Sequence, residues 1–460
     1  MNRYGISVEL KNIPSLDPSF LPLHRFNEEF LKTAKKKVGI AVEREEGQIA
    51  AYSTFVHGDE AHREADTCYI DRLIKCILWM KGGFRIFISG DREIYETVRA
   101  AYSVGGSRDF DRDFMQRVYE KPFEVLFVDE LPCEHSAAKA VGRHLAGCRI
   151  GFDAGGSDRK VSAVVDGETV FSEEVVWFPK ITEDPDYHYD GIVSAFKSAA
   201  EHMPRVDAVG ISSAGVYVSD RTMVASLFLK VPEDLFEAKV KDIYIRAVRD
   251  TFGDIPYAVC NDGDVSALAG AMSMNKNSVL GIAMGTSQAV GFVDAAGNIT
   301  GWLNELAFMP VDVSADAVID EWSGDFGCGV KYFSQDAVIK LAPRAGIELD
   351  EDLSPAEKLK VVQKLMEEGD ERAAKIYETL GIYLGHALAF YYELYGCTSV
   401  LLLGRVMSGK GGDLLLANAK HVLADEYPAI SDNMSVELPN EMFRRVGQSM
   451  AAASLPELKK

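Results

Sequence analysis

The 460-residue sequence predicts an α/β protein in which strand–turn–strand units alternate with helices. Two observations carry that prediction. Apolar runs end repeatedly in small or acidic residues, at Ile150-Gly-Phe-Asp-Ala-Gly-Gly-Ser157, Val209-Gly-Ile-Ser-Ser-Ala-Gly215 and Ile282-Ala-Met-Gly-Thr-Ser287. Between them lie stretches with apolar residues at helical spacing, clearest in Ile376, Leu380, Tyr383, Leu384, Ala387 and Phe390. At this length two or three domains are expected, read as 1–148, 149–262 and 263–460.

Periodicity and turn residues set the order of elements. Val38-Gly-Ile-Ala-Val42 and Ile49-Ala-Ala-Tyr-Ser53 read as strands joined at Glu46-Gly47, followed by a helix over 68–80 and a strand over 85–90. A helix over 92–102, a strand over 125–128 and a helix over 135–146 complete an α/β domain without helix-turn-helix or zinc-finger spacing. From 149 the order recurs on a larger scale: hairpin 150–165, strand 169–178, helix 190–203, strand 208–212. The first domain is therefore expected to be a degenerate copy of that unit, with Val42-Glu-Arg-Glu-Glu in place of Asp-Ala-Gly-Gly-Ser. A helix is expected from near Val265 to Met274. Ser354-Pro-Ala-Glu357 opens another, with a capping hydroxyl, an early Pro and Glu three residues on. The helix from Asp370 to about Tyr395 feeds a strand ending at Gly404, ahead of a glycine-rich loop, Ser408-Gly-Lys-Gly-Gly412. The terminal helix, 440–453, is expected to pack back on the first lobe.

Composition narrows the function. Lysines and arginines number 49 against 70 acids, a net charge of −21, which repels nucleic acid and anionic membranes. No nucleic-acid and no membrane partner is expected. No apolar run reaches membrane-spanning length, and Met1-Asn-Arg-Tyr4 opens no signal-peptide core, so a cytoplasmic location is expected. Seven cysteines without a Cys-x-x-Cys pair read as reduced thiols.

Four strand ends can carry chemistry. After Asp153, the turn Gly155-Gly156-Ser157 lets backbone N–H groups and a hydroxyl approach a phosphate, while the carboxylate can hold Mg²⁺ through water. The same residues also suit an ordinary hairpin turn. Ser213 stands where small residues leave room for substrate. Val259-Cys-Asn-Asp-Gly-Asp264 places Asn261 and Asp262 ahead of a helix. There Asp262 is either a general base or a helix cap, with Asp264 the better cap. Gly285, Thr286 and Ser287 form a second small-hydroxyl turn, and Gly404 with Gly411-Gly412 reads either as flat backbone for adenine or as a mobile loop.

These turns, in this order, resemble the actin-like (ribonuclease H-like) superfamily of sugar kinases and Hsp70 ATPases, and within it the ROK family, over about residues 149–455. Asp153-Ala-Gly-Gly-Ser157 is similar to the family's Asp-x-Gly-Gly-Thr, and Asn261-Asp262 to its Asn-Asp, where Asp is the catalytic base. Asn304-Glu-Leu-Ala-Phe308 falls at its Gly-Glu-x-Gly-His. Ser323-Gly-Asp-Phe-Gly-Cys-Gly-Val330, with Ser334, keeps the register of Cys-Gly-x-x-Gly-Cys-x-Glu-x-x-x-Ser. The resemblance implies a two-lobe fold with an extra N-terminal α/β domain, ATP and Mg²⁺ as cofactors, and phosphoryl transfer to a small carbohydrate or polyol. It makes Asp262 the base, Asn261 and Glu305 substrate contacts, and Asp153 the metal-side carboxylate. A homodimer is compatible with it. The alternatives are a non-catalytic sugar- or nucleotide-binding regulator, and an ATPase coupling hydrolysis to lobe motion.

Departures from the family pattern carry their own expectations. The family's zinc ligands, a His and three cysteines, become Phe308, Glu321, Ser323 and Cys328. One thiol without an imidazole cannot close a tetrahedral site, so no zinc is expected. Its sugar-pocket residues become Asn261, Asp262, Glu305, Phe308 and Val330. Two lost polar partners cost about 1–3 kcal/mol for each hydroxyl left unsatisfied, which disfavours glucose. In the second loop, Gly285-Thr-Ser-Gln-Ala-Val-Gly291, Gln288 and Val290 are expected to crowd the phosphate. Lys160 reads as a partly exposed strand residue, and Lys230 as a surface cation or a contact for an acidic sugar. Tyr187-His-Tyr189 reads as a lid or a self-packed loop.

Overall fold

The computed structural model describes residues 1–136 and 141–458, and the side chains of all of these except 441–446. Its centre is a sheet in which Cys148–Ala154 pairs antiparallel with Asp158–Val165, and that strand with Glu168–Val176. On the other side Ala208–Ser213 lies parallel to Cys148–Ala154, and Tyr257–Asn261 parallel to Ala208–Ser213. Helices Pro185–Ala200 and Ile243–Phe252 bury Ile192, Phe196, Tyr244 and Val248 against one face. The terminal helix Glu441–Ala453, bent at Gly447, covers the other. Close approach explains two glycines there: a side chain on Gly151 or Gly210 would meet a carbonyl oxygen of that helix at 1.7 Å.

The second lobe repeats the plan with fewer strands. Val279–Met284 pairs antiparallel with Gln288–Val293 and parallel with Ser399–Leu403, which runs parallel to Ser435–Glu437. Helices Glu371–Tyr395 and Gly409–Glu426 pack together over it. The glycine-rich 408–412 segment is thus the start of a helix and not a loop. Gly411 and Gly412 lie against Tyr377 and the Met407 carbonyl, so neither offers a surface to adenine.

The N-terminal region holds Lys36–Glu43, Ile49–Val56, Arg85–Ser89 and Glu124–Phe127 in one sheet. The expected copy of the hairpin–helix–strand unit fails on strand direction. Arg85–Ser89 runs antiparallel to Lys36–Glu43, whereas Ala208–Ser213 runs parallel to Cys148–Ala154. The cause is strand count: two strands precede helix Arg63–Lys81, where three precede helix Pro185–Ala200, so the helix and the strand after it enter reversed. The helix expected over 135–146 is also corrected. Residues 141–147 are non-helical, His135 bridges to Ile49, and 137–140 lie outside the described residues.

One apolar core joins this region to the second lobe: Val38, Ile40, Trp79 and Ile86 belong to the same buried cluster as Ile282, Phe308, Tyr383 and Leu402. Arg344 holds Asp17 at 2.6 Å, and the Leu23 N–H donates to the Val311 carbonyl. All seven cysteines are free thiols. Among the described residues no helix is long and apolar enough to cross a membrane.

Candidate functional site

Parallel strands gather their C-terminal ends at one edge, and the register sets Asp153 opposite Ser212, with Asn261 opposite Ser213. The Ser212 hydroxyl donates to Asp153 Oδ1 at 2.8 Å. Burial pushes the Asp153 carboxyl up to about 6; the Ser212 hydrogen bond opposes this, and the Asp262 charge adds to it. Ser213, expected to touch substrate, is instead fully buried and hydrogen-bonded to the Tyr244 hydroxyl at 2.8 Å. Pleat alternation turns it toward the face covered by helix Ile243–Phe252 and its neighbour Ser212 toward Asp153.

The first glycine turn protrudes. Gly156 and Ser157 are exposed, and the Gly155 carbonyl accepts from the Trp177 indole at 2.7 Å. The Ser157 hydroxyl donates to Asp158 Oδ2 at 2.9 Å. In the second turn Thr286 and Ser287 are exposed, and the Gly285 N–H and carbonyl are tied to Ser287 and Gln335. Gln288 and Val290 do not crowd it: both are buried in the lobe, with Gln288 against Gly329. Gly404 sits beneath this turn, its Cα hydrogens facing the Met284 backbone.

Helix Asp262–Met274 begins earlier than the sequence reading placed it. Its cap is Asn261, whose Oδ1 accepts from the Gly263 N–H at 2.7 Å while Nδ2 donates to the Gly215 carbonyl at 2.7 Å. Asp262 is the first helical residue, where the macrodipole favours a carboxylate. Its Oδ1 accepts from the Gly263 N–H at 3.0 Å, and burial raises its carboxyl above the ordinary range. The expectation that Asp264 caps this helix is corrected. Its buried carboxylate accepts from the Phe292 N–H at 3.2 Å and from Asn304 Nδ2 at 3.0 Å. The second-lobe hairpin crosses this helix start so closely that a side chain on Gly291 would strike the Gly263 carbonyl at 2.2 Å.

Glu305 is set by long-range contacts. Its N–H donates to the Trp79 carbonyl at 2.9 Å, at the end of helix Arg63–Lys81, and Asn304 also accepts from Tyr395 at 3.0 Å. The side chain is half-buried, and burial, followed by the charges of Asp262 and Asp264, pushes its carboxyl up to about 7. Raised from an ordinary 4.5, this group favours the fold below pH about 4.5, and that contribution is lost as pH rises through about 7. Glu305→Gln should therefore melt like the parent at pH 4 and progressively above it from pH 5 to 8. Parallel melting curves across that range would refute the burial argument.

Aromatic side chains fill the position where a family histidine would stand. Phe308 packs 4.4 Å from Trp79, 5.4 Å from Phe110 and 5.6 Å from Trp322, measured between ring centroids. The following loop is held by ions. Asp325 accepts from Arg72 at 2.8 and 3.0 Å, and lies 2.7 Å from both Arg108 and Lys75, the latter outside hydrogen-bonding direction. Cys328 is buried, its thiol pushed up to about 11 by burial, and Glu321 pairs with Lys331. Among the described residues no cluster of His, Cys, Asp and Glu has the geometry to hold a metal ion alone.

The remaining expectations resolve simply. Lys160 pairs with Glu174 at 3.3 Å on a half-exposed strand, and Lys230 is exposed. Tyr187-His-Tyr189 is the first turn of helix Pro185–Ala200, with His188 fully buried, its ring bonded to the Pro179 and Asp184 carbonyls. Sequence reasoning missed Asp264 with Asn304, which position Glu305, and Lys180, whose Nζ lies 2.8 Å from where a Gly156 side chain would begin. A cavity of about 720 Å³ opens elsewhere, between helices Arg63–Lys81 and Arg92–Ala101, lined in part by Arg72 and Arg108 and by none of Asp153, Asp262, Glu305 or the two turns.

A family model described as "ROK family" matches residues 149–424. Among solved structures, the ROK hexokinase from Thermus thermophilus is similar at 17% identity and a TM-score of 0.52, over 67% of this chain and 96% of that one. A ROK family transcriptional regulator, homolog of the E. coli MLC protein, is similar at 17% identity and a TM-score of 0.52, over 68% and 79%. No curated protein matches. At these identities the neighbours establish the fold alone.

Proposed function

Because the chain belongs to the ROK family, we propose that it is an ATP- and Mg²⁺-dependent phosphotransferase acting on a hydroxyl of a small carbohydrate or polyol derivative. The observation that carries this reading is the convergence of two acids with unequal surroundings. Asp262 sits at a helix N-terminus with its Oδ1 on the Gly263 N–H, and Glu305 stands close enough for their charges to interact. Asp262, stabilised as a carboxylate by the Gly263 N–H, accepts the proton of the attacking hydroxyl; Glu305, half-protonated near neutrality, orients hydroxyls as donor or acceptor.

The turns 155–157 and 285–287 present exposed backbone and the Thr286 and Ser287 hydroxyls, as phosphate oxygens require. The Asp262 charge adds to the raising of the Asp153 carboxyl, and two neighbouring carboxylates suit Mg²⁺ held through water. When bound, that ion would neutralise charge on the transferring phosphoryl group. A net charge of −21 favours a small-molecule partner over nucleic acid.

The regulatory reading is favoured by Phe308, which is packed among aromatics where a polar pocket residue would otherwise meet the sugar. Titration calorimetry with ATP·Mg and a panel of sugars, sugar acids and polyols, followed by turnover assays, tests both. Nucleotide binding with sugar-dependent turnover is the expected result. Sugar binding without nucleotide selects the regulator, and turnover without sugar selects an ATPase.

A further inference from the structure

Lys180 lies in the short segment between strand Glu168–Val176 and helix Pro185–Ala200. That segment folds back over the first glycine turn and is pinned from three sides. The Trp177 indole donates to the Gly155 carbonyl at 2.7 Å. The Phe178 N–H donates to the Tyr187 hydroxyl at 2.9 Å, and the buried His188 ring meets the Pro179 carbonyl at 3.0 Å. The backbone of Lys180 is thereby fixed relative to the turn, while its side chain is exposed.

The ammonium reaches the chemistry. A methyl group on Gly156 would come within 2.6 Å of Lys180 Cε and 2.8 Å of Nζ, so the amine lies across the turn's bare backbone. From there it is close enough to Asp262 for their charges to interact. Three neighbouring lysines are spent on acids: Lys160 on Glu174, Lys239 on Asp186, Lys241 on Glu120 and Glu237. Lys180 forms no ion pair among the described residues, although it stands near Asp262 and above a turn with no acid of its own beyond Asp158. A cation held by preorganised backbone, with its head uncommitted between a phosphate turn and a general base, has an anion as its natural partner.

We propose that Lys180 binds the terminal phosphoryl group of ATP during transfer, an extension that rests on the phosphotransferase reading above. In the balanced step the substrate oxygen forms a bond to the γ-phosphorus and the bond from that phosphorus to the β–γ bridging oxygen breaks. The hydroxyl proton passes to Asp262, and ADP leaves with the electron pair. Charge on the transferring group is spread over oxygens that Lys180 can meet from the side of Gly156. Its flexible stem lets it follow the phosphoryl group, as a single point charge does better than a planar guanidinium.

The test compares the parent with Lys180→Met and Lys180→Arg, reading kcat, KM for ATP, and the affinities for ATP·Mg and ADP·Mg by calorimetry. Lys180→Met should lower kcat on the order of 10²-fold, weaken ATP and leave ADP affinity within twofold. Lys180→Arg should recover part of both losses. A Met variant that turns over within threefold of the parent overturns the proposal, as does one that loses ATP and ADP equally, which would make Lys180 a support for the turn. If the parent binds ATP·Mg without turning over, the ATP-over-ADP preference still decides. A parent that binds neither nucleotide overturns the phosphotransferase reading itself, and is seen before any variant is made.

Discussion

Asp325→Asn is expected to cost about 3–5 kcal/mol, the usual penalty for removing one partner from a buried ion cluster. Asp325 is 8% exposed and is shared by three buried cations, Arg72 and Arg108, each under 5% exposed, and Lys75, fully buried. Asp71 offsets both arginines and Asp111 lies 3.4 Å from Lys75, but only Asp325 touches all three. Burial alone would raise its carboxyl, but Lys75, Arg72 and Arg108 outweigh burial and hold it well below the ordinary carboxylate range. The sign of the pH dependence follows. Because the folded value lies below the ordinary 3.8, this stabilisation is complete above about pH 4 and is lost as pH falls further. The variant should therefore melt lower at neutral pH and converge with the parent under acid conditions. Chelator should leave the parent's melting temperature unchanged, and elemental analysis should find no stoichiometric zinc, since these ions and the Phe308 cluster hold the loop that a metal would otherwise tie. One zinc per chain, or an Asp325→Asn protein as stable as the parent, would remove this account.

The same contacts tie the N-terminal region to the 303–328 segment. Helix Arg63–Lys81 supplies Arg72 and Lys75 to the loop, Trp79 to Phe308, and its last carbonyls to the N–H groups of Leu303, Asn304 and Glu305. The 303–305 segment, which carries Glu305, is thus held by the N-terminal region. None of this was legible from spacing, because Trp79 and Glu305 are joined only by the fold. Local signals read better. The strands ending at Ala154, Ser213, Asn261 and Met284 are announced by the small or polar residues at or just after their ends. The start of the 262–274 helix was misplaced because Asn, Asp and Asp lie within four residues and all three cap well. Only the three-dimensional path of the Gly215 and Phe292 backbones shows which one does. Ser213 was misassigned because alternation along a strand fixes which residues share a face, not which face meets the ligand. The direction of Arg85–Ser89 was hidden for a similar reason: a missing third strand reverses everything after it without altering the local pattern.

Asp262→Asn is expected to lower phosphoryl transfer on the order of 10²–10⁴-fold at nearly unchanged substrate affinity. Asparagine keeps the size and an oxygen for the Gly263 N–H, so the helix start is preserved, but it cannot accept the hydroxyl's proton. The structure sharpens the control. Since Asn261 is the cap, with both ends of its amide committed, a capping role for Asp262 predicts almost no change in turnover or in melting temperature. Removing a carboxylate from burial should even raise stability slightly above neutral pH, because its folded pKa lies above the ordinary value. Glu305→Gln should separate from it cleanly, weakening substrate binding more than it slows the bound complex. A variant at position 262 that turns over at the parental rate, on the substrate the parent uses, would take Asp262 out of the mechanism and leave the two acids as a binding pair.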